Sequence, residues 1–149
     1  MGFGRIGRNL FRILYKSEEI QIVAIDEIAA HEGIEYLLRF DSILGPFPDE
    51  LSLRDGYLYA YGRQIPVLSH RDPGEVPWDE FGVDVVVEAA GLERSRAELE
   101  QHLERGVRRV ILCAPPQDPP DLTVVMGVND DQLGPEHRIV SNASCTAHA

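Results

Sequence analysis

Cysteine is scarce in this chain of 149 residues: Cys113 and Cys145 are the only two. Two thiols exclude a disulfide-dense scaffold and a multi-cysteine zinc site, and the five histidines show no ligand spacing, so no metal is expected. Lysine is scarcer still, Lys16 standing alone beside thirteen arginines. Fourteen basic residues face 25 acidic ones, a net charge of −11. That balance lacks the positive surface that phosphate neutralisation demands, which argues against nucleic acid and anionic membranes as partners. No run of about 18 apolar residues occurs, so no transmembrane helix is expected. The start MGFGRIGRNLF carries arginines but no long apolar stretch or cleavage site of a secretory signal. A soluble protein of a reducing, cytoplasmic compartment is the simplest expectation. What the chain does have is 44% hydrophobic residues, enough for a sizeable core in one domain.

The apolar pattern alternates between helix and strand periods. Ile6, Leu10, Phe11, Ile13 and Leu14 fall on a broad helical face, ending near Ser17. Residues 20–25 (IQIVAI) predict a short buried strand, ended by Asp26 and Glu27. Residues 30–40 read as a helix with Ile34, Leu37, Leu38 and Tyr36 inward. LSL at 51–53, Asp55-Gly56 and YLYAY at 57–61 spell a hairpin, and Gln64 to Leu68 an added edge strand. HRDPGEVPW (70–78) is a loop in which Pro77 opposes a long helix. VDVVV (83–87) has the pattern of a strand covered on both faces. A helix over 94–105 follows, with Leu99 and Leu103 four apart, and then strands over 107–112, 123–126 and 138–140. The closing SNASCTAHA starts a helix. This order predicts an α/β fold: a Rossmann-type, doubly wound, mostly parallel sheet with a small hairpin insertion.

Gly2-Phe3-Gly4-Arg5-Ile6-Gly7 matches GxGxxG, the dinucleotide fingerprint. Its first glycine makes a tight turn, its second admits a pyrophosphate, and its third lets the helix pack closely. The helix start then offers free N–H groups and a favourable dipole to phosphates. The motif alone is weak, and a glycine turn between packed elements would read the same. Here an acidic pair follows 19–20 residues beyond Gly7, where Asp26 or Glu27 would bind a ribose 2′-OH and disfavour a 2′-phosphate. The fingerprint should follow a strand, and only Met1 precedes it, so the expected sheet lacks its first strand.

Cys145 lies among capping residues (Ser141, Asn142, Ser144) at a predicted loop-to-helix junction. A thiol at a helix start gains thiolate character, and the same N–H groups would steady an oxyanion. An unreactive cysteine in a cap is the competing reading. His148 is one turn further on. Cys113 ends a strand and reads as structural, and Arg71 reads either as an adenine-side residue or as a solvated charge.

GFGRIGR (2–8), HRDPGEVPW (70–78), ILCAPP (111–116) and MGVND…IVSNASCT (126–146) together resemble the NAD-binding half of glyceraldehyde-3-phosphate dehydrogenases, along essentially the whole chain. The resemblance implies that Gly2, Phe3, Gly4, Arg5, Ile6 and Gly7 wrap the pyrophosphate of NAD. It places Asp26 and Glu27 at the adenosine ribose, Arg71 at the adenine, and Ala90, Gly91 and Cys113 along the cofactor. Cys145 matches the catalytic nucleophile, with Ser144 and Thr146 on the substrate-phosphate side. The implied substrates are a small phosphorylated aldehyde and inorganic phosphate, and the parent family forms homo-oligomers. The resemblance also implies a second, catalytic domain with a histidine outside residues 1–149.

The pattern departs from the family in places. Asp26-Glu27 replaces Asn-Asp, a change familiar in the similar erythrose-4-phosphate dehydrogenases. Ala89-Ala90-Gly91 lacks the family's hydroxyl, Cys113 replaces a serine, Leu44-Gly45-Pro46 replaces His-Gly-Arg, and His148-Ala149 stands where the family has Asn-Cys. Three readings follow: glyceraldehyde-3-phosphate oxidation, its erythrose counterpart, or a catalytically inactive fragment that binds NAD or associates with other subunits.

Overall fold

The computed structural model describes residues 1–145, with 31 and 32 by backbone only. The chain divides into two compact units, Gly2–His70 and the segment from Arg71 onward together with Met1.

The first unit runs α1 (Arg5–Leu14), β1 (Ile25–Asp26), α2 (His31–Arg39), the short antiparallel pair β2 (Phe40–Asp41) and β3 (Gly45–Pro46), then β4 (Leu51–Arg54), β5 (Tyr57–Ala60) and β6 (Arg63–Leu68). Its main sheet has the order β1-β6-β5-β4. The hairpin β4–β5 turns at Asp55-Gly56, both at positive φ (51° and 77°), as the two-residue turn read from the sequence requires. β6 is not the edge strand expected. It lies between β5, antiparallel, and β1, parallel through Ile25↔Val67 and Asp26↔Leu68. The strand expected over 20–25 pairs only at its end, because only Ile25 and Asp26 come alongside β6.

The core of this unit is aromatic. Phe11 meets Phe3 edge-on at 5.7 Å and stacks on Tyr15 at 5.9 Å, and Tyr15 meets Phe47 at 4.8 Å. Leu38 and Leu58 are fully buried beside them. The helix faces are narrower than the periodicity implied. On α1 only Phe11 is buried, while Ile6 and Ile13, seven residues apart and so on one side, are exposed. On α2 the i,i+4 pair Ile34 and Leu38 is buried, and Tyr36 and Leu37, turned away by 100° per residue, are exposed.

The second unit carries β7 (Val85–Glu88), α3 (Arg96–Glu104), β8 (Arg109–Leu112), β9 (Leu122–Thr123) and β10 (Ile139–Ser141). All four strands are parallel, in the order β7-β8-β10-β9. Met1 lies alongside β7, its amino group donating to Val87 O and its carbonyl accepting from Ala89 N, both at 2.8 Å. Residues 73–75 and 78–81 form single 3₁₀ turns, in keeping with the block at Pro77. β7 is not covered on both faces: Val86 and Glu88 are buried and Val85 is exposed. The strand expected over 123–126 is shorter and earlier, since β10 meets this segment only at Leu122 and Thr123. α3 begins in a complete capping box, with Ser95 and Glu98 each bonding the other's backbone N–H. Leu99, buried on its inner face, contributes about 2 kcal/mol of burial energy.

Candidate functional site

In the first unit the glycine turn is built as a close backbone crossing. Gly2 stands at φ 85°, with its N–H donated to Asp26 O at 2.8 Å. A Cβ on Gly7 would lie 2.3 Å from Gly2 O, so only a hydrogen fits there. A Cβ on Gly4 would meet open space. α1 then starts with no side-chain cap and no acid in its first turn. Its first N–H groups therefore lack a built-in carboxylate partner, and Arg5, exposed, adds positive charge. Arg8 donates to Phe3 O at 3.1 Å, and burial and Arg5 push its guanidinium below the ordinary value. Phe3 is packed into the core; Ile6 is half exposed.

The acidic pair at the end of β1 separates into two roles. The Asp26 side chain is 1% exposed. Its Oδ1 accepts the His70 N–H at 3.1 Å and lies 2.7 Å from His70 Nδ1, while its Oδ2 is buried without a hydrogen bond. Asp26 is thus turned into the protein. Glu27 lies at the glycine turn: Oε2 accepts the Phe3 N–H at 2.6 Å and Oε1 the Ala29 N–H at 3.0 Å. The sequence assigns no part to His70. The only signal for it is its position just past β6, whose parallel pairing with β1 sets it opposite Asp26.

In the second unit three segments that carry candidates leave the sheet at one end. Glu88, Leu112 and Ser141 are level in the ladder. Beyond them Cys113 N donates to Glu88 O at 3.0 Å and Asn142 N to Leu112 O at 3.1 Å. Ala90 and Gly91 follow β7, Cys113 follows β8, and Ser144 and Cys145 follow β10, all at the carboxyl ends of parallel strands, where open α/β sheets bind ligands. Cys145 is exposed and Ser144 half-buried. Ala143 stands at φ 52°, a left-handed conformation uncommon for alanine. Cys113 is half-buried: burial pushes its thiol up, the Met1 amino group opposes this, and Glu88 adds to it. Arg71 is exposed in its loop. Thr146, His148 and the helix expected there lie outside the described residues. Among the described residues no three His, Cys, Asp or Glu side chains group as a metal site, and no helix is long and apolar enough to cross a membrane.

The family described as glyceraldehyde 3-phosphate dehydrogenase, NAD binding domain, matches residues 1–96. The chain belongs to this family. Among its relatives, glyceraldehyde-3-phosphate dehydrogenase 1 of Streptomyces arenae is 45% identical over 149 residues, 99% of this chain and 44% of the relative. The Thermotoga maritima enzyme is 42% identical over 150 residues and the Mycobacterium leprae enzyme 46% over 154, each match covering 99% of this chain and 45% of the relative. The chain thus spans less than half the length of these glyceraldehyde-3-phosphate dehydrogenases. Its fold is the α/β, Rossmann-type NAD-binding fold and its cofactor is NAD. The uncapped start of α1 and the glycine crossing under it suit the dinucleotide's pyrophosphate.

Proposed function

We propose that this chain supplies the NAD site and the nucleophile for the oxidation of glyceraldehyde 3-phosphate. The observation that carries the reading is the common exit of Ala90-Gly91, Cys113 and Cys145 from one end of a parallel sheet. The names of the relatives support the substrate.

In this reading the first N–H groups of α1 hold the pyrophosphate, and Glu27 accepts a hydrogen bond from the adenosine ribose on lone pairs that Phe3 and Ala29 leave free. A carboxylate there repels a 2′-phosphate, so NAD is preferred over NADP. Arg71 lies on the adenine side, Ala90, Gly91 and Cys113 border the cofactor, and Ser144 and Thr146 serve the substrate phosphate. Bound NAD supplies a hydride acceptor. The Cys145 thiolate attacks the aldehyde carbon to form a thiohemiacetal. Loss of hydride from that carbon leaves a thioester on Cys145. Inorganic phosphate attacks the thioester carbon and the thiolate leaves, which restores the nucleophile. The base that assists belongs, in this reading, to a second domain outside these residues. A cytoplasmic setting is proposed, with homo-oligomers formed by the full-length parent.

Titration of the purified chain with NAD and with NADP tests the cofactor part. Saturable binding with a clear preference for NAD is expected; the absence of saturable binding would overturn it. Incubation with NAD and glyceraldehyde 3-phosphate, followed by intact mass, tests the nucleophile. An acyl adduct on Cys145 supports the full reading. NAD binding with no adduct leaves a dinucleotide-binding chain without acyl chemistry.

A further inference from the structure

The second unit buries a polar chain that the proposed reaction does not use. Glu88, at the end of β7, is 2% exposed and His102, on α3, is fully buried. Glu88 Oε1 accepts the N–H of Ala90 at 3.1 Å, and so fixes the peptide on which the Ala90-Gly91 turn hangs. Its other oxygen faces His102 Nε2 at 3.6 Å and Arg94 Nε at 3.7 Å. These three atoms are all buried and make no hydrogen bond.

The direction of the chain follows from donor chemistry. An indole N–H can only donate, and Trp78 Nε1 lies 2.9 Å from His102 Nδ1. Nδ1 must accept, so the ring proton sits on Nε2 and points toward Glu88. Arg94, 8% exposed, is held in turn by Glu98 at 3.1 Å, the residue that closes the capping box of α3. Behind the carboxylate therefore stand one ring N–H and one guanidinium, close enough to attract its charge though beyond hydrogen-bond length. Burial alone pushes its pKa up, but His102, the Met1 amino group, the Ala90 N–H and Arg94 bring it below the ordinary value.

We propose that His102 is a positioning residue for the dinucleotide: through Glu88 it sets the Ala90 peptide, and with it the turn that borders bound NAD. This rests on the assignment of Ala90 and Gly91 to the cofactor. A structural histidine would serve packing equally well with any isostere. A positioning histidine acts through its Nε2–H, and the two amides that imitate its two nitrogens separate these cases. The His102→Asn change would keep the acceptor for Trp78 and lose the donor to Glu88; His102→Gln would do the reverse.

The test is the NAD dissociation constant of the chain carrying His102→Asn or His102→Gln, with the emission of Trp78, the sole tryptophan, and the thermal midpoint read alongside. His102→Asn is expected to weaken NAD about tenfold with Trp78 emission unchanged. His102→Gln is expected to bind within about twofold of the wild type while its Trp78 emission shifts. Glu88→Gln, which keeps the shape and an oxygen for Ala90, is expected to lose about tenfold as well and serves should the asparagine variant not fold. Wild-type affinity in both His102→Asn and Glu88→Gln, or equal losses in the two His102 variants, would overturn the proposal. An unmutated chain with no saturable NAD binding would bring down the cofactor assignment itself, and this inference with it.

Discussion

The Glu27 carboxylate clasps the backbone of Phe3: Oε2 accepts the Phe3 N–H at 2.6 Å, from the end of β1 to the middle of the glycine turn. The residue proposed to hold the ribose therefore also holds the loop that would hold the pyrophosphate. Replacing Glu27 with alanine removes both. NAD affinity is expected to fall at least about tenfold, with the NAD-over-NADP preference falling too, as read by parallel titrations. An unchanged preference would show that the carboxylate does not face the ribose.

Asp26 is expected to answer differently from its neighbour. Asp26→Ala leaves the His70 N–H without its buried acceptor and should destabilise the chain by about 1–3 kcal/mol in urea unfolding. Asp26→Asn keeps an oxygen for that N–H and removes a buried anionic oxygen that makes no hydrogen bond. Its stability should lie within about 1 kcal/mol of the parent. Equal losses in the two variants would mean that the charge, not the acceptor, is what His70 requires.

The two thiols should differ in reactivity. Cys145 is exposed, while Cys113 is half-buried with its thiol pushed up by burial. At neutral pH iodoacetamide is expected to label Cys145 at least about tenfold faster, as followed by peptide mass. Equal rates would remove the support for Cys145 as nucleophile.

Acid should unfold the chain through specific carboxylates. Glu35 is held below the ordinary range by the Leu53 N–H and then Arg39. Burial pushes Asp121 up, but the Ile139 N–H, Arg96 and the Arg138 N–H outweigh it and bring it down. A carboxyl whose folded pKa is depressed stabilises the fold fully above its unfolded value, about 4, and loses that contribution as pH falls through the folded value. Thermal midpoints should fall steeply below about pH 5, with Asp121→Asn lowering the midpoint at neutrality and shallowing the fall. A fall of undiminished steepness in that variant would exclude Asp121 as a contributor.

Local chemistry determined much of this protein from its sequence alone. The glycine turn opening α1, the Asp55-Gly56 hairpin, the block at Pro77 and the helix after Ser95 each depend on backbone conformation and hydrogen bonds within a few residues, which the residue types state directly. The acidic pair and Cys145 were legible as candidates for the same reason. Only the tertiary structure decided what each candidate faces. Asp26 and Glu27 are adjacent and alike, yet one is buried against His70 and the other clasps Phe3, because the choice is made by the parallel pairing of β1 with β6, a strand far along the chain. The same holds for β6 as an inner strand, for the exposed Ile13 of an otherwise apolar helix face, and for the Trp78–His102–Glu88 chain. Periodicity reports which side chains prefer burial, but partners distant in sequence decide which of them obtain it.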